Sequence, residues 1–259
     1  MLTKEKSRVG DIVWPSLITL GLLLLWEILV RALGVRSILL PAPSEIVVTM
    51  IHQKDLILKH LWPSLYMTIA GFVLSVVGGM LVAVLITYSE VLRKGLYPVI
   101  VVSQVIPKIA IAPLFIVWFG TGATSSLLLA VLIAFFPMVI NSAMGFSSID
   151  PDIHRMARTF MASRWQIFWK IRMPHALPYM FGGMKISITL AIIGVIVSEF
   201  VASQEGIGYL IKMAGGLLDT PLMMAAITAL SASGLALYGL IALAERYAVF
   251  WNAAKDNAK

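Results

Sequence analysis

An uninterrupted run of 41 uncharged residues, 109–149, decides what kind of fold this chain can adopt. About 20 apolar residues are enough to cross the hydrocarbon core of a bilayer as a helix. The run is therefore long enough to cross twice, and the segment GTGATSS near its start supplies the glycines of a turn. This pattern predicts an all-α membrane protein.

Composition agrees with a bilayer environment. Of the 259 residues, 59% are apolar and only 13% are charged, whereas a soluble domain usually carries about a quarter charged residues. The chain contains no cysteine, which excludes disulfides and thiolate metal sites. Its formal charge of +7 leaves nucleic-acid binding open until the positions of the charges are examined.

The gaps between charges predict six transmembrane helices. The first lies within residues 1–34, behind a short basic tail, and is read as a retained signal anchor. The fifth is interrupted by Lys185. The five later spans, which form a core over residues 61–248, are predicted at about 61–88, 97–119, 125–145, 177–199 and 220–244.

The distribution of basic residues predicts that both termini are cytoplasmic, including a tail at residues 249–259. Cytoplasmic loops carry an excess of Lys and Arg. With this topology four basic residues lie outside: Arg36, Lys54, Lys59 and Lys212. Thirteen lie inside: Lys4, Lys6, Arg8, Arg93, Lys94, Arg155, Arg158, Arg164, Lys170, Arg172, Arg246, Lys255 and Lys259. The positive charge is therefore explained by topology, and nucleic-acid binding becomes a poor explanation.

Residues 35–60 are predicted to be an extracytoplasmic segment. Pro41 and Pro43 favour extended backbone, and Ser44 is expected to cap a short amphipathic helix that follows. Further along, small residues recur every four positions, which favours close helix packing and leaves a flexible gating helix as the alternative. These residues are Gly71, Ser75, Gly79 and Ala83.

Ionisable residues inside the spans are few. Glu27, Lys185 and Glu245 lie near span ends, from where they can reach the interface. Lys108 is deeper, at a cost of about 2.5–3.5 kcal/mol for a lysine at a span centre, and either a pathway role or a structural pairing explains it. Glu199 either lines an outer mouth or pairs with a neighbouring span. The candidate translocation pathway comprises Ser103, Gln104, Lys108, Asn141, Ser198 and Glu199.

Catalytic chemistry is not expected in this chain. The sequence has no phosphate-binding loop of the type GxxxxGK[ST], so it cannot be a conventional ATPase by itself. Its four histidines are scattered and none forms a metal-ligand pair on a helix face. No nucleophile with a base and an orienting acid is evident.

The cytoplasmic loop, residues 146–175, contains two helix starts. Asp150 and Pro151 begin an amphipathic helix, and Ser163 with Gln166 forms a capping-box pattern for a second helix that ends near Pro174. A loop lying on lipid headgroups and a docking surface for another protein both fit this composition. The apolar face of the first helix comprises Ile153, Met156, Ala157, Phe160 and Met161.

Several stretches resemble the permeases of binding-protein-dependent ABC importers, of the nitrate, sulfonate and taurine branch. The loop DPDIHRMARTFMASRWQIFWKIRMPHALPYMFGGMKISI is similar to their cytoplasmic EAA loop. The likeness covers about residues 38–212. It is specific because several stretches agree together: LLPAPSEIV, LWPSLYMTIAGF, AIAPLFIVWFG, AFFPMVIN and IVSEFVASQEGIGYLI.

The resemblance implies a dimer with the type I ABC importer fold, whose inner loop docks on a separate ATPase subunit. That partner would hold ATP and Mg, an extracytoplasmic solute-binding protein would deliver the solute, and this chain would bind no cofactor. Two positions depart from the family pattern: Arg155 replaces an acid and Met161 replaces a glycine. Because methionine resists positive φ, the first helix is expected to continue to about Ala162 and break at Ser163. The coupling residues implied are Arg155, Met156, Ala157, Arg158, Phe160, Met161, Ala162, Ser163 and Pro174.

The function expected from the sequence is therefore import of a small solute, an organic or inorganic anion or a vitamin-like compound, by alternating access. A six-span secondary carrier or channel is the first alternative, and it requires paired buried ionisable groups. A membrane-embedded enzyme or scaffold is the second, and it requires polar clusters or a large soluble domain.

Overall fold

The computed structural model describes residues 8–251 of the chain, and within that range it contains helices and no strand. The elements alternate long apolar helices with short polar or bent ones. A four-residue 3-10 turn, Lys108–Ile111, precedes α5, and a π-helical segment, Phe168–Arg172, joins α8 to α9. The α-helices are α1 Arg8–Ala32, α2 Pro43–His52, α3 Lys54–Tyr88, α4 Glu90–Ser103, α5 Ala112–Phe119, α6 Ala123–Ser147, α7 Pro151–Thr159, α8 Arg164–Ile167, α9 Met173–Ala202, α10 Ile207–Gly216 and α11 Thr220–Ala248.

Five of the described helical segments are long and apolar enough to cross a membrane, or six if one bent pair is counted as a span. The bent pair occupies the position of the predicted third span, 97–119, which is therefore not one straight helix. Glu90–Ser103 and Lys108–Phe119 meet at 85°. The bend follows from Pro107, which lacks an N–H and pushes the preceding residue out of helical backbone.

The described residues form two compact units, 8–58 with 210–229, and 59–209 with 230–251. In the second unit, α6 and α9 are the most buried of the candidate spans. Of the residues in their most apolar stretches, 44% and 39% are buried. Their backbones lie in close contact, since a Cβ atom on Gly194 would stand 2.7 Å from Ala130 Cα. The pair α6 and α9 is therefore the centre of this unit.

The small residues of α3 pack against α6, as the favoured interpretation predicted. A Cβ atom on Gly71 would stand 2.8 Å from Ala130 Cβ, and one on Gly79 would stand 2.9 Å from Met138 Cβ. Ser75 Oγ donates to the carbonyl of Gly71, four residues earlier, at 2.7 Å. The stripe lets two helices approach closely, which is the main source of attraction between helices in lipid.

In the first unit, α2 begins two residues before the predicted position. Its N-cap is Ala42, with Pro43 in the first turn, so Ser44 is already inside the helix. Ser44 N and Oγ donate to the two carboxylate oxygens of Glu27 at 3.0 and 2.7 Å. A carboxylate from α1 thus satisfies the amide end of α2, where helix N-termini favour negative charge. Glu27 has this partner as well as Arg31 on its own helix.

Candidate functional site

The loop that follows α6 begins as predicted. Asp150 Oδ1 accepts a hydrogen bond from Asp152 N at 2.8 Å, and Pro151 occupies the first turn of α7. This arrangement satisfies an otherwise unpaired amide and places acidic charge at the positive end of the helix.

The end of α7 contradicts the prediction that this helix continues to about Ala162. α7 ends at Thr159, and Met161 has a φ of +56°. Met161 N donates to Arg158 O at 2.9 Å, and Ala162 N donates to Ala157 O at 3.1 Å. These two bonds form a Schellman motif in which Met161 occupies the position that glycine usually takes.

Two features compensate for the strained conformation of Met161. The Schellman bonds satisfy carbonyls at the end of α7, and the Met161 side chain is 93% exposed, so it meets no neighbour that would oppose the turn. The turn thus survives the replacement of glycine by methionine. The family-like break occurs two residues before the predicted one.

The second helix of the loop starts as predicted and does not end as predicted. Ser163 Oγ accepts from Gln166 N at 3.2 Å, and Gln166 Oε1 accepts from Ser163 N at 2.8 Å, which completes a capping box. Helix then runs without a break from Arg164 to Ala202. Pro174 lies in the first turn of α9, directly after the π-helical segment, whose wider hydrogen-bond spacing accommodates its missing N–H.

The apolar face of α7 is mostly uncovered. Ala157 is buried, but Met156, Phe160 and Met161 are 57%, 79% and 93% exposed. Arg155, the residue in the place of the family's acid, forms an ion pair with Asp152 on the same helix. The tip of the loop therefore presents bulky apolar side chains, and Asp152 compensates the charge that the departure introduces.

Phe168 attaches the loop to the helices of the second unit. It is buried, and its ring lies 5.8 Å from the ring of Phe146 in α6 and 5.8 Å from that of Tyr88 at the end of α3. The Arg172 guanidinium also lies over the Tyr88 ring, 5.4 Å from its centre. One buried aromatic side chain therefore connects the loop to the end of α3 and to α6.

The break between α4 and α5 forms a second candidate site. A cavity of about 390 Å³ lies beside it, and Gln104 and Lys108 supply its polar lining. Lys108 Nζ lies 5.0 Å from the centre of the Phe136 ring. Two of the six predicted pathway residues therefore meet at one cavity.

Glu199 lies elsewhere, in a closed junction between α3, α9 and α10. It is 3% exposed. Ser64 Oγ lies 2.7 and 2.8 Å from its two carboxylate oxygens and donates to the carboxylate, and Gly208 N donates to it at 2.9 Å. Ser64 Oγ also accepts from Ile207 N at 2.8 Å. Of the two sequence interpretations of Glu199, these contacts match the pairing with a neighbouring helix.

Two glycines make room for this junction. Gly206 has a φ of +98°, and a Cβ atom there would stand 2.2 Å from Glu199 Cδ. At Gly208 a Cβ atom would stand 2.7 Å from Ile196 O. Only residues without a side chain let the start of α10 approach the carboxylate so closely.

The other three predicted pathway residues bond within their own helix or to a neighbouring helix. Ser103 Oγ donates to Val99 O at 2.7 Å, and Asn141 Nδ2 donates to Pro137 O at 2.8 Å. Ser198, which is buried, accepts a hydrogen bond from Ser126 Oγ at 3.1 Å across α6 and α9. The structure does not bring these three together with Lys108.

Lys185 and Glu245, which were expected to reach the interface separately, form an ion pair between α9 and α11. Their side chains are 24% and 26% exposed. The Lys185 ammonium also lies 6.0 Å from the Tyr238 ring. Beside it is a cavity of about 380 Å³, lined by Gly182, Lys185, Ile186, Thr189, Leu190 and Tyr238.

Residues 75–248 match the family described as the inner membrane component of binding-protein-dependent transport systems. The chain belongs to this family. It is an ABC importer permease and a multi-pass protein of the inner membrane.

Curated relatives cover almost the whole permease. The riboflavin transport system permease of Chloroflexus aurantiacus is 38% identical over 97% of both chains. The formylaminopyrimidine transport permease of Halalkalibacterium halodurans is 34% identical over 92% of this chain and 95% of its own. A putative aliphatic sulfonates transport permease of Bacillus subtilis is 33% identical over 88% and 83%. These relatives confirm the family and branch that the sequence motifs indicated.

The fold agrees with that of a solved transporter. A chain of the MetNI methionine ABC transporter, in an inward-facing conformation, aligns with a TM-score of 0.66. The alignment covers 76% of the permease and 97% of that chain at 18% identity. This likeness supports the type I ABC importer fold. The family match decides against the carrier and channel alternative.

The sequence did not identify the residues that surround Glu199 and Lys108. Ser64, Gly206 and Gly208 were not singled out, although all three lie in the family-like stretches LWPSLYMTIAGF and IVSEFVASQEGIGYLI. Phe136, which lies in AFFPMVIN, likewise had no predicted role. Phe168 carried no sequence signal beyond its place among the aromatic residues of the loop.

Proposed function

We propose that this permease crosses the membrane six times, with α4 and α5 together forming the third span and both termini in the cytoplasm. Six candidate spans are available when the bent pair is counted once. The thirteen basic residues on the proposed inside against four outside support this orientation.

Cysteine labelling tests the orientation, because the natural chain has no cysteine. Leu217 is 71% exposed after α10, and Val91 is 80% exposed at the start of α4. A membrane-impermeant maleimide added to intact spheroplasts should label Leu217→Cys at once and Val91→Cys only after permeabilisation. The opposite pattern would invert the topology.

The tip of α7 is the proposed docking element for a separate ATPase subunit. The observation that carries this proposal is the run of exposed apolar side chains at Met156, Phe160 and Met161. Exposed apolar clusters of this kind mark protein–protein or membrane interaction sites, and membership of the importer family favours a protein partner. Phe168 would pass the movement of the docked loop to the spans.

The proposed complex contains two copies of the permease, two ATPase subunits and an extracytoplasmic solute-binding protein. ATP and Mg would bind to the ATPase subunits, and this chain would contribute no cofactor. ATP binding would draw the two loops together and open the permease outward, and hydrolysis would return it to the inward-facing state. The solute is expected to be small, like those named for its relatives.

Co-expression and co-purification with a candidate ATPase subunit test the docking surface. Arg158→Glu combined with Phe160→Asp should abolish both co-purification and ATPase stimulation. Val91→Asp, on the same proposed side and equally exposed, is the matched control and should leave both unchanged. Full assembly of the double variant would refute the assignment of the coupling loop.

A further inference from the structure

The cavity at the break between α4 and α5 lies level with the middle of two long apolar helices. Its lining residues Ile133 and Pro137 are near the middle of α6, and Leu190 is near the middle of α9. Non-helical backbone is tolerated at that depth only where it is buried in protein or lines a cavity. In secondary transporters, interrupted spans near the midplane are where solute binds, and the same geometry is available here.

Lys108 is the charged group of this cavity and lacks a counter-charge in the part of the chain that the structure describes. No carboxylate there forms an ion pair with it, whereas Lys185 is paired with Glu245. The Phe136 ring stabilises the ammonium without neutralising it. An uncompensated lysine among apolar helices is costly, so an anion entering the cavity gains a partner that the fold itself does not provide.

The other residues that line the cavity indicate the chemistry of the uncharged part of the solute. Apart from Gln104 and Lys108, the walls are aliphatic or proline: Ile106, Pro107, Ile109, Ile133, Pro137, Leu190 and Ile193. A volume of about 390 Å³ falls within the usual range for small-molecule sites. A fully polar anion would lose hydration against these walls with few donors to replace it.

We infer that Lys108 and Gln104 form a solute subsite for an organic anion with one negatively charged group on a compact apolar body. This assignment rests on the proposed function, since it names the solute class that the permease passes. Lys108 binds the anionic group by a charge-assisted hydrogen bond, Gln104 offers a second polar contact, and the aliphatic walls cover the body. Cations and neutral analogues lack the first of these contacts.

Photolabelling of the intact permease and ATPase complex in nanodiscs tests the subsite, with 4-azidobenzoate as the probe. Labelling should be saturable, should map to the peptide around residues 104–109, and should be competed by benzoate. Lys108→Gln should weaken labelling by roughly tenfold or more, the usual value of a hydrogen bond to a charged group, and Lys108→Arg should retain most of it. Lys185→Gln combined with Glu245→Gln, which removes the paired lysine without leaving a lone charge, should match the natural protein.

Competition by benzamide as strong as that by benzoate would overturn the role of charge. Competition by nitrate as strong as that by benzoate would contradict the requirement for an apolar body. Labelling that Lys108→Gln leaves unchanged would overturn the site itself. ATPase co-purification is measured on the same samples, so a failure of the proposed complex with lysine-dependent labelling intact would refute the importer assembly and leave the subsite standing.

Discussion

The glycine junction at Ser64, Glu199 and the start of α10 differs from the break at Gln104 and Lys108 in the partners of its ionisable group. In the junction, a carboxylate is buried, and hydroxyl and amide donors surround it. At the break, a lysine beside a cavity has a ring and an amide for neighbours and no carboxylate partner within the described residues.

The difference separates polar groups that hold the fold from those available to a solute. Buried polar groups are stable only when their hydrogen bonds are made inside the protein, as around Glu199. An incompletely paired charge beside a cavity has capacity left for a ligand. Both residues are ionisable groups in apolar helices, so their partners and not their chemical type distinguish their roles.

The largest expected effect comes from closing the space around the carboxylate. Gly206→Ala would force a Cβ atom against Glu199 at a backbone φ of +98°. Backbone strain and overpacking each cost about 1–3 kcal/mol, so we expect a loss of about 3 kcal/mol or more in the free energy of unfolding. Chemical denaturation in detergent micelles measures it.

Gly182→Ala is the control, because nothing lies within 4 Å of that Cβ position in α9. Alanine there should raise stability by roughly 0.5–1 kcal/mol, since glycine inside a helix is unfavourable. Equal effects of the two substitutions would show that the junction is not tightly packed.

Removing the carboxylate comes second. Glu199→Ala leaves the Gly208 amide without its acceptor, and the Ser64 hydroxyl keeps only its longer bond to His60 O at 3.3 Å, so we expect a loss of about 1–3 kcal/mol. Glu199→Gln keeps an oxygen for Gly208 and places a donor near Ser64, so it should lose about 1 kcal/mol or less and retain transport. A glutamine variant that is stable and inactive would instead place Glu199 in the pathway.

Periodicity and charge spacing located the helices because a bilayer leaves few alternatives to apolar helices of a minimum length. They could not show that the third span is bent, because Pro98 lies inside α4 without breaking it while Pro107 ends the helix before it. They also could not show that α8 continues through Pro174, because the π-helical segment that permits this has no distinct sequence pattern.

The site was predictable where one residue and its near neighbours decide the geometry, and not where distant residues meet. Asp150 and Ser163 cap their helices as expected because the contacts span two or three residues. Ser64 and Glu199 are 135 positions apart, and only tertiary packing joins them. Met161 was predicted wrongly because its intrinsic preference was outweighed by the Schellman bonds.

The two lysines extend the comparison. Lys185→Gln leaves Glu245 without its partner in a partly exposed position, and we expect a loss of about 1–2 kcal/mol, less than for a fully buried pair. Lys108→Gln removes a charge with no carboxylate partner in the described part of the chain and should leave the free energy of unfolding unchanged or slightly higher. Chemical denaturation measures the free energy of unfolding of both variants. As a control, adding Glu245→Gln to Lys185→Gln removes the unpaired carboxylate and should restore stability. A larger loss at Lys108 would reverse the distinction between the paired and the unpaired lysine.

The smallest effect is expected at Met161 and has the opposite sign. Met161→Gly relieves the left-handed backbone conformation and should stabilise the permease by about 1 kcal/mol. The same change deletes a side chain that is 93% exposed, so it should weaken ATPase co-purification while thermal stability rises. Met161→Leu is the matched control, since it keeps an apolar side chain and the strain. If the glycine variant gained stability and also bound the ATPase as tightly, the exposed methionine would contribute nothing to docking, and Phe160 and Met156 would remain as the apolar contacts of the loop.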